Sequence, residues 1–442
     1  MELSRRTLIR AGAAGLGLAV AGDLPAFGPR RRAAAAGSGY GRLVTDPDRI
    51  LDLPDGFTYR VISRTGDAMA GGGTLPDQFD GMGLFSRPGG ATVLVRNSEQ
   101  IGDVPHPIVA PPELTYDPVA QGGTTTVELD ADLNVVAEYA SLGGTAINCA
   151  GGVTPWGTWL TCEETGATAA EGYFSKDHGW VFEVDPVNTS NNLHPTPLEW
   201  LGRFPHEAVM IDPATGIVYL TEDAGDPNGL LYRATPTCPL KGYGSLRSGA
   251  LLEALVATDG GTFVPDLSVY EEIGATLTAT WAAIPDPHAV EAATRNQLDQ
   301  VTRSRKVEGA WWNGTDGYVS CSYARLDDGS AAEHDGQVWR LDPVAGTLEL
   351  VVRFGVNPDP AGDGFDAPDN ITVSPWGGLI LCSDGGEAQH LYTVSADGEP
   401  SIFARNARDS TEFAGAVFSY DGSTLFVNMY SPGLTLAITG PW

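Results

Sequence analysis

The sequence predicts an all-β fold, a six-bladed β-propeller with a partly helical insertion between blades 3 and 4. Three observations carry that expectation. The 442 residues include 56 glycines and 31 prolines, and the apolar runs are short and bounded by turns, as in strands rather than helices. One unit, a turn followed by an apolar β run with a polar end, occurs six times. The segment FTYRVISR (57–64) supplies a strand that the last repeat lacks, which closes the ring and removes an open edge.

The N-terminus reads as an export signal. Ser4-Arg5-Arg6-Thr7-Leu8-Ile9 precedes a small apolar run from Ala11 to Gly22, and Ala33 to Ala36 offers a cleavage site. An arginine pair before a weakly hydrophobic core is the twin-arginine pattern, so residues 1–36 are expected to engage the Tat export machinery. The mature protein is then secreted or periplasmic. The run is too short for an ordinary membrane span, and no other segment could supply one. The net charge of -30 becomes about -34 once residues 1–36 are removed. Such a surface repels nucleic acid and anionic lipid. A monomer is expected.

The repeated unit appears at 87–99, 154–164, 213–223, 313–323, 374–384 and 420–430. A short strand of small residues precedes each copy. A third strand follows at 124–130, 179–185, 229–235, 336–342, 390–396 and 434–440. Fourth strands are expected at 135–142, 198–204, 348–354 and 401–406. The ring spans 45–442, and residues 243–306 form the insertion. Within it, 285–306 has helical composition and spacing.

The five cysteines are odd in number and sparse, which does not make a disulfide framework. Cys162, Cys321 and Cys382 fall at equivalent places in separate repeats and read as small buried residues. Cys149 stands apart, opening the stretch NCAGGVTPWGTWLTCEE (148–164) that ends in Glu163 and Glu164.

In a propeller the start of the innermost strand and the end of the second lie on one face. First-strand starts give Asp80, Cys149, Glu207, Glu308 and Asn370; second-strand ends give Glu99, Glu163, Glu164, Glu222, Asp223 and Asp384. Any one acid has an ordinary alternative as a loop cap or a solvated side chain. Carboxylates gathered in a channel, however, cannot all stay ionised without cations. Oxygen ligands in number suit Ca²⁺, and a thiolate among carboxylates suits iron; zinc usually takes more His or Cys. The metal candidates are therefore Cys149, Glu207, Glu308, Glu164, Glu163, Asn370, Glu99 and Asp80. Lys306, Arg96, His206 and Arg325, expected near the same face, could clamp an anion such as phosphate. There is no G-x-S-x-G elbow, Walker loop, HExxH or properly placed G-x-G-x-x-G.

Taken together, the Tat signal, RNSE, NCAGGVTPWGTWLTCEE, GRFPHEA, EGAWW, PDNI and EFAG…FSYDGSTLFVN…GPW resemble the PhoX-type alkaline phosphatase family from about residue 45 onward. The resemblance implies a six-bladed propeller, an iron–calcium cluster in its mouth and hydrolysis of small phosphomonoesters outside the cytoplasm. It implies Cys149 as an iron ligand and Glu207 and Glu308 as cluster ligands, with Glu164 and Asn370 beside them. Two departures stand out. Ser98 occupies the centre of a triplet that is commonly Asn-His-Glu, and Lys306 stands where an Arg is frequent. Competing classes are a calcium-dependent lactonase or esterase, indifferent to Cys149, and a non-catalytic exported binding propeller.

Overall fold

In the second strands of the repeats, both faces are apolar because each packs between neighbouring sheets. Val93, Leu94 and Val95 are all fully buried, as are Leu160 and Cys162, Leu381 and Cys382, and Leu425, Phe426 and Val427. Strands covered on both sides read as nearly continuous apolar runs, which is why the repeats stand out. The computed structural model describes residues 39–87 and 89–442, so the export-signal segment lies outside it.

The architecture is all-β and propeller-like. Among the described residues no α-helix occurs, only short 3-10 turns, and no helix is long and apolar enough to cross a membrane. The first strands are Phe79–Ser86, Asn148–Val153, His206–Ile211, Val307–Trp312, Pro368–Val373 and Phe413–Phe418. Each packs beside the next, and the last returns to the first. The predicted closing strand is present: Thr58–Arg64 pairs antiparallel with Leu434–Thr439, in the register Leu434↔Arg64 to Thr439↔Thr58.

Hydrogen bonding does not divide this ring into six separate four-stranded blades, as the sequence had suggested. Among the described residues there are five sheets, of 6, 3, 11, 4 and 4 strands. The second repeat keeps only three strands. Its expected fourth, at 198–204, is a 3-10 turn at Glu199–Leu201, preceded by Pro195 and Pro197, which have no N–H to donate to a ladder. The third and fourth repeats merge into the eleven-stranded sheet through the insertion.

The insertion is not helical. It contributes Ala250–Asp259, which pairs with Gly229–Pro236, and Thr276–Ala283, which bridges to Thr347–Phe354. Thr276–Ala283 begins with alternating exposed and buried residues, the period of a half-buried strand. Residues 285–306 hold a single 3-10 turn, Thr294–Asn296, and the two-residue strand Arg303–Ser304. Pro285 and Pro287 stand at its start. The segment is tied down from outside instead: Arg203 donates to the carbonyls of His288 and Ala289.

Candidate metal centre

Every first strand begins with a bulge. The pairing with its second strand shifts register after Phe79, Asn148, His206, Val307, Pro368 and Ala414. A bulge adds a residue to one strand and re-aims its side chain. In the first five strands the second residue carries the chemistry: Asp80, Cys149, Glu207, Glu308 and Asp369; in the sixth that place is Ala414. The residue that follows is small in five of the six, and the backbones meet closely there. A Cβ on Gly81 would lie 2.5 Å from Ala150 Cα, and one on Gly309 would lie 2.7 Å from the Asp369 carbonyl oxygen.

A second turn device recurs at the same end. Gln78, Ile147, Lys306 and Ala367, each immediately before a first strand, have positive φ of 56°, 50°, 48° and 40°. Non-glycine residues adopt this conformation at a cost. Here the carbonyl of each receives the amide just beyond the second strand: Glu99 at 2.9 Å, Glu164 at 2.8 Å, Ser322 at 3.2 Å and Asp384 at 2.9 Å. These bonds bring a second set of side chains, Glu99, Glu164, Ser322 and Asp384, beside the first.

The result is one gathering of nine carboxyl groups and a thiol. Asp80, Glu99, Cys149, Glu207, Glu308 and Asp369 are buried; Glu164, Asp223, Asp384 and Glu412 are half-buried at its opening. Cys149 Sγ lies 3.0 Å from Glu207 Oε1 and 3.8 Å from Asp80 Oδ1. Three sets have ligand atoms within 4.8 Å of one another: Glu99–Cys149–Glu164, Asp80–Glu99–Glu412 and Glu207–Glu308–Asp369. Among the described residues, the only ion pairs of these acids are with Lys306, at 2.9 Å from both Asp223 and Glu308.

One ammonium does not balance nine acids. Burial, then the charges of Asp384 and Glu308, pushes Asp80 up to about 7. Burial also raises Glu308 to about 7 against the opposing pull of Lys306. Burial and the charges of Asp223 and Glu308 raise Glu164 to about 8. Glu99, Glu207, Asp369 and Glu412 rise well above the usual carboxylate range, chiefly by burial and then by the charges of neighbouring acids of the cluster. The Cys149 thiol rises for the same reasons. Such a site holds its charge only with added cations.

Of the sequence candidates, Cys149, Glu207, Glu308, Glu164, Glu99, Asp80 and Lys306 are brought together. Asn370 is adjacent but committed: its Oδ1 accepts from Gly415 N at 2.7 Å. It fills the small-residue place, and Asp369 fills the acidic one. Glu163, Arg96 and His206 face elsewhere, because successive strand residues point to opposite faces. Glu163 sits in the ladder opposite Asn148. It accepts from Ala146 N, Gly179 N, Trp180 N and His178 Nδ1 at 2.8, 2.9, 3.0 and 2.6 Å. Arg96 lies over the Phe79 ring and binds Thr435, Thr125 and Glu138. His206 stacks on Phe204 and donates through Nε2 to the Gly202 carbonyl, and burial drops its pKa to about 3. Glu222 likewise turns away, to Tyr232 and Arg295.

Glu163 is a clamp on the chain that carries Glu164. Its partner His178 also reaches Asp117 at 3.4 Å. Burial opposes a charged imidazole, but the bonds to Glu163 and Asp117 outweigh it and raise the pKa. Glu163→Ala leaves His178 Nδ1 and three buried amides without their acceptor. It is expected to cost about 3–5 kcal/mol, read from the urea midpoint. Metal lost from protein that remains folded to the same midpoint would instead mark Glu163 as a ligand.

Likeness to solved structures is low. A gluconolactonase, XC5397 from Xanthomonas campestris, is 13% identical with a TM-score of 0.37, over 91% of this chain and 98% of that one. A putative gluconolactonase is 11% identical with a TM-score of 0.40, over 88% and 93%. A protein of unknown function from Dyadobacter fermentans is 10% identical with a TM-score of 0.41, over 88% and 100%. Likeness at this level does not extend to function. A search among curated proteins finds no match. The family model described as alkaline phosphatase PhoX, by contrast, matches residues 38–138 and 132–433. With nearly the whole described chain matched, the protein belongs to the alkaline phosphatase PhoX family.

Proposed function

We propose that this protein is an exported, monomeric, metal-dependent phosphatase that hydrolyses small phosphomonoesters at the mouth of a six-bladed ring, in the periplasm or outside the cell. The observation that carries the reading is the convergence of Cys149 with Asp80, Glu99, Glu164, Glu207, Glu308, Asp369 and Glu412 into three adjoining ligand sets at one end of the ring, in a chain of this family. The six-blade count rests on the cycle of six first strands, although two repeats share a sheet.

The donor set fits iron and calcium. Glu99–Cys149–Glu164 mixes a soft sulfur with oxygens, as iron accepts. Asp80–Glu99–Glu412 and Glu207–Glu308–Asp369 offer only carboxylate oxygens, as calcium prefers. Bound cations would supply Lewis acidity, polarising a phosphoryl group and acidifying water. The chain's own part is to hold the site and neutralise the substrate. Lys306 places a positive charge where equatorial phosphoryl oxygens accumulate negative charge, as a point charge rather than a guanidinium fork. Ser322 Oγ donates to Glu308 Oε1 at 2.7 Å and fixes that carboxylate. No protein nucleophile is required.

Elemental analysis of the purified protein should find both Fe and Ca, with p-nitrophenyl phosphate turned over and activity lost on chelation. Metal-replete protein inert towards a broad phosphoester panel would overturn the reading. Calcium without iron, with turnover of lactones, would favour an esterase.

A further inference from the structure

Beyond the acid cluster, its lip carries a feature no other repeat has. Tyr323 directly follows Ser322, the hydroxyl that holds Glu308. The equivalent places elsewhere are Gln100, Thr165, Ala224, Gly385 and Ser431, none aromatic. Three cations converge on the Tyr323 ring: Arg305 and Arg325 each lie 5.3 Å from its centroid, and Lys306 lies 5.8 Å from it. Arg305 and Lys306 enter the Val307–Trp312 strand, and Arg325 leaves the hairpin it forms with Gly317–Cys321.

We propose that Arg305, Tyr323 and Arg325 form an anion subsite that receives a negatively charged group on the alcohol portion of the substrate. The preferred phosphoesters are then those whose alcohol bears a carboxylate or a further phosphate. The proposal rests on the phosphatase reading and assigns a substrate class to it.

Three like charges around one ring repel one another, so something must hold them. The negative face of the ring attracts cations. One carboxylate meets each guanidinium: Asp328 lies 2.8 Å from Arg305, and Asp335 pairs with Arg325. A guanidinium has five N–H donors, so one carboxylate does not exhaust it, and Arg305 Nε has no hydrogen-bond partner among the described residues. Arg325 is oriented by the carbonyls of Ala324 and His334, each at 2.8 Å. All three side chains are partly buried, where charges interact more strongly than in bulk water. Lys306 joins the subsite to the cluster, since its ammonium touches Glu308. A surface this acidic repels anions at long range, and fixed cations beside the cluster offset that repulsion where the substrate enters.

The test uses the metal-loaded protein and two matched, non-hydrolysable phosphonates, 3-phosphonopropionate and propylphosphonate, which differ by a terminal carboxylate. Calorimetry should give a Kd about 10-fold lower for the carboxylate compound, one charge-assisted contact's worth. The double variant Arg305→Ala, Arg325→Ala should bring the ratio of the two constants to about one, and Lys at both positions should restore part of it. Because the ratio is taken within each protein, loss of folded or loaded molecules cancels. Equal affinities in the wild type, or a ratio that survives the double substitution, would overturn the subsite. Failure to turn over p-nitrophenyl phosphate would remove the phosphatase reading while leaving the ratio readable.

Discussion

Glu308→Gln is expected to reduce turnover of p-nitrophenyl phosphate by about 10³-fold or more, the scale on which removing a charged group from a preorganised site acts. Glu308 is the cluster acid that meets both Lys306 and the Ser322 hydroxyl. Its carboxyl shares one set with Glu207 and Asp369, meets Lys306 at 2.9 Å, and accepts from Ser322 at 2.7 Å. Glutamine has the same length and can still accept from Ser322, so the strand and its bulge should persist. What it loses is the negative charge, which both a cation and Lys306 need. The loss should therefore fall on kcat with a parallel loss of bound calcium, measured by elemental analysis of protein whose melting temperature shows it is folded. Cys149→Ser separates the metals: serine keeps the size but not the soft donor, so iron should fall more than calcium. Near-normal kcat in Glu308→Gln would remove this carboxylate from the centre of the chemistry.

The parts of the molecule readable from sequence were those in which one local pattern had one structural solution. Short apolar runs buried on both faces gave the second strands, and from them the repeat, the closing strand at Thr58–Arg64 and the end of the ring where acids gather. Where the pattern admitted two solutions, the sequence misled. Residues 285–306 have helical composition, yet prolines at the start and anchoring by Arg203 leave an irregular strap of turns and bends. At the site, two of the misplaced candidates, Asn370 and Glu163, lie one residue from an acid of the cluster, whereas Arg96 is buried over the Phe79 ring, away from it. Asn370 looked like the polar start of an inner strand, but Pro368 opens that strand and the bulge puts Asp369 in the acidic place. Glu163 and Glu164 are indistinguishable by composition; the ladder pairing of Glu163 with Asn148 fixes which one faces away. Glu412 escaped notice because it stands before its strand, in the place that Lys306 occupies two repeats earlier. A register shift at every first strand is a tertiary feature, and no single repeat announces it.

The cluster also sets the pH behaviour of the metal-free protein. Asp80 and Glu308 titrate at about 7 in the folded state and Glu164 at about 8, whereas in the unfolded chain carboxyls titrate near 4. Between those values the folded state holds more protons than the unfolded state, so stability falls as pH rises. The stability present near pH 4 is lost progressively through pH 7–8. One carboxyl raised by three units accounts for about 4 kcal/mol at the upper end. Neighbouring acids share protons, so their contributions do not simply add. Chelated protein should therefore melt roughly 5–10 °C lower at pH 8 than at pH 5. Protein loaded with metal should show a much smaller slope, because cations take the place of the protons. Glu308→Gln, already neutral, should flatten the slope of the chelated form while abolishing activity, joining the two results to one side chain. A melting temperature of chelated protein that holds level or climbs from pH 5 to 8 would mean that these carboxyls are not crowded and buried together in solution. In that case the site could not be the cation trap on which the phosphatase reading depends.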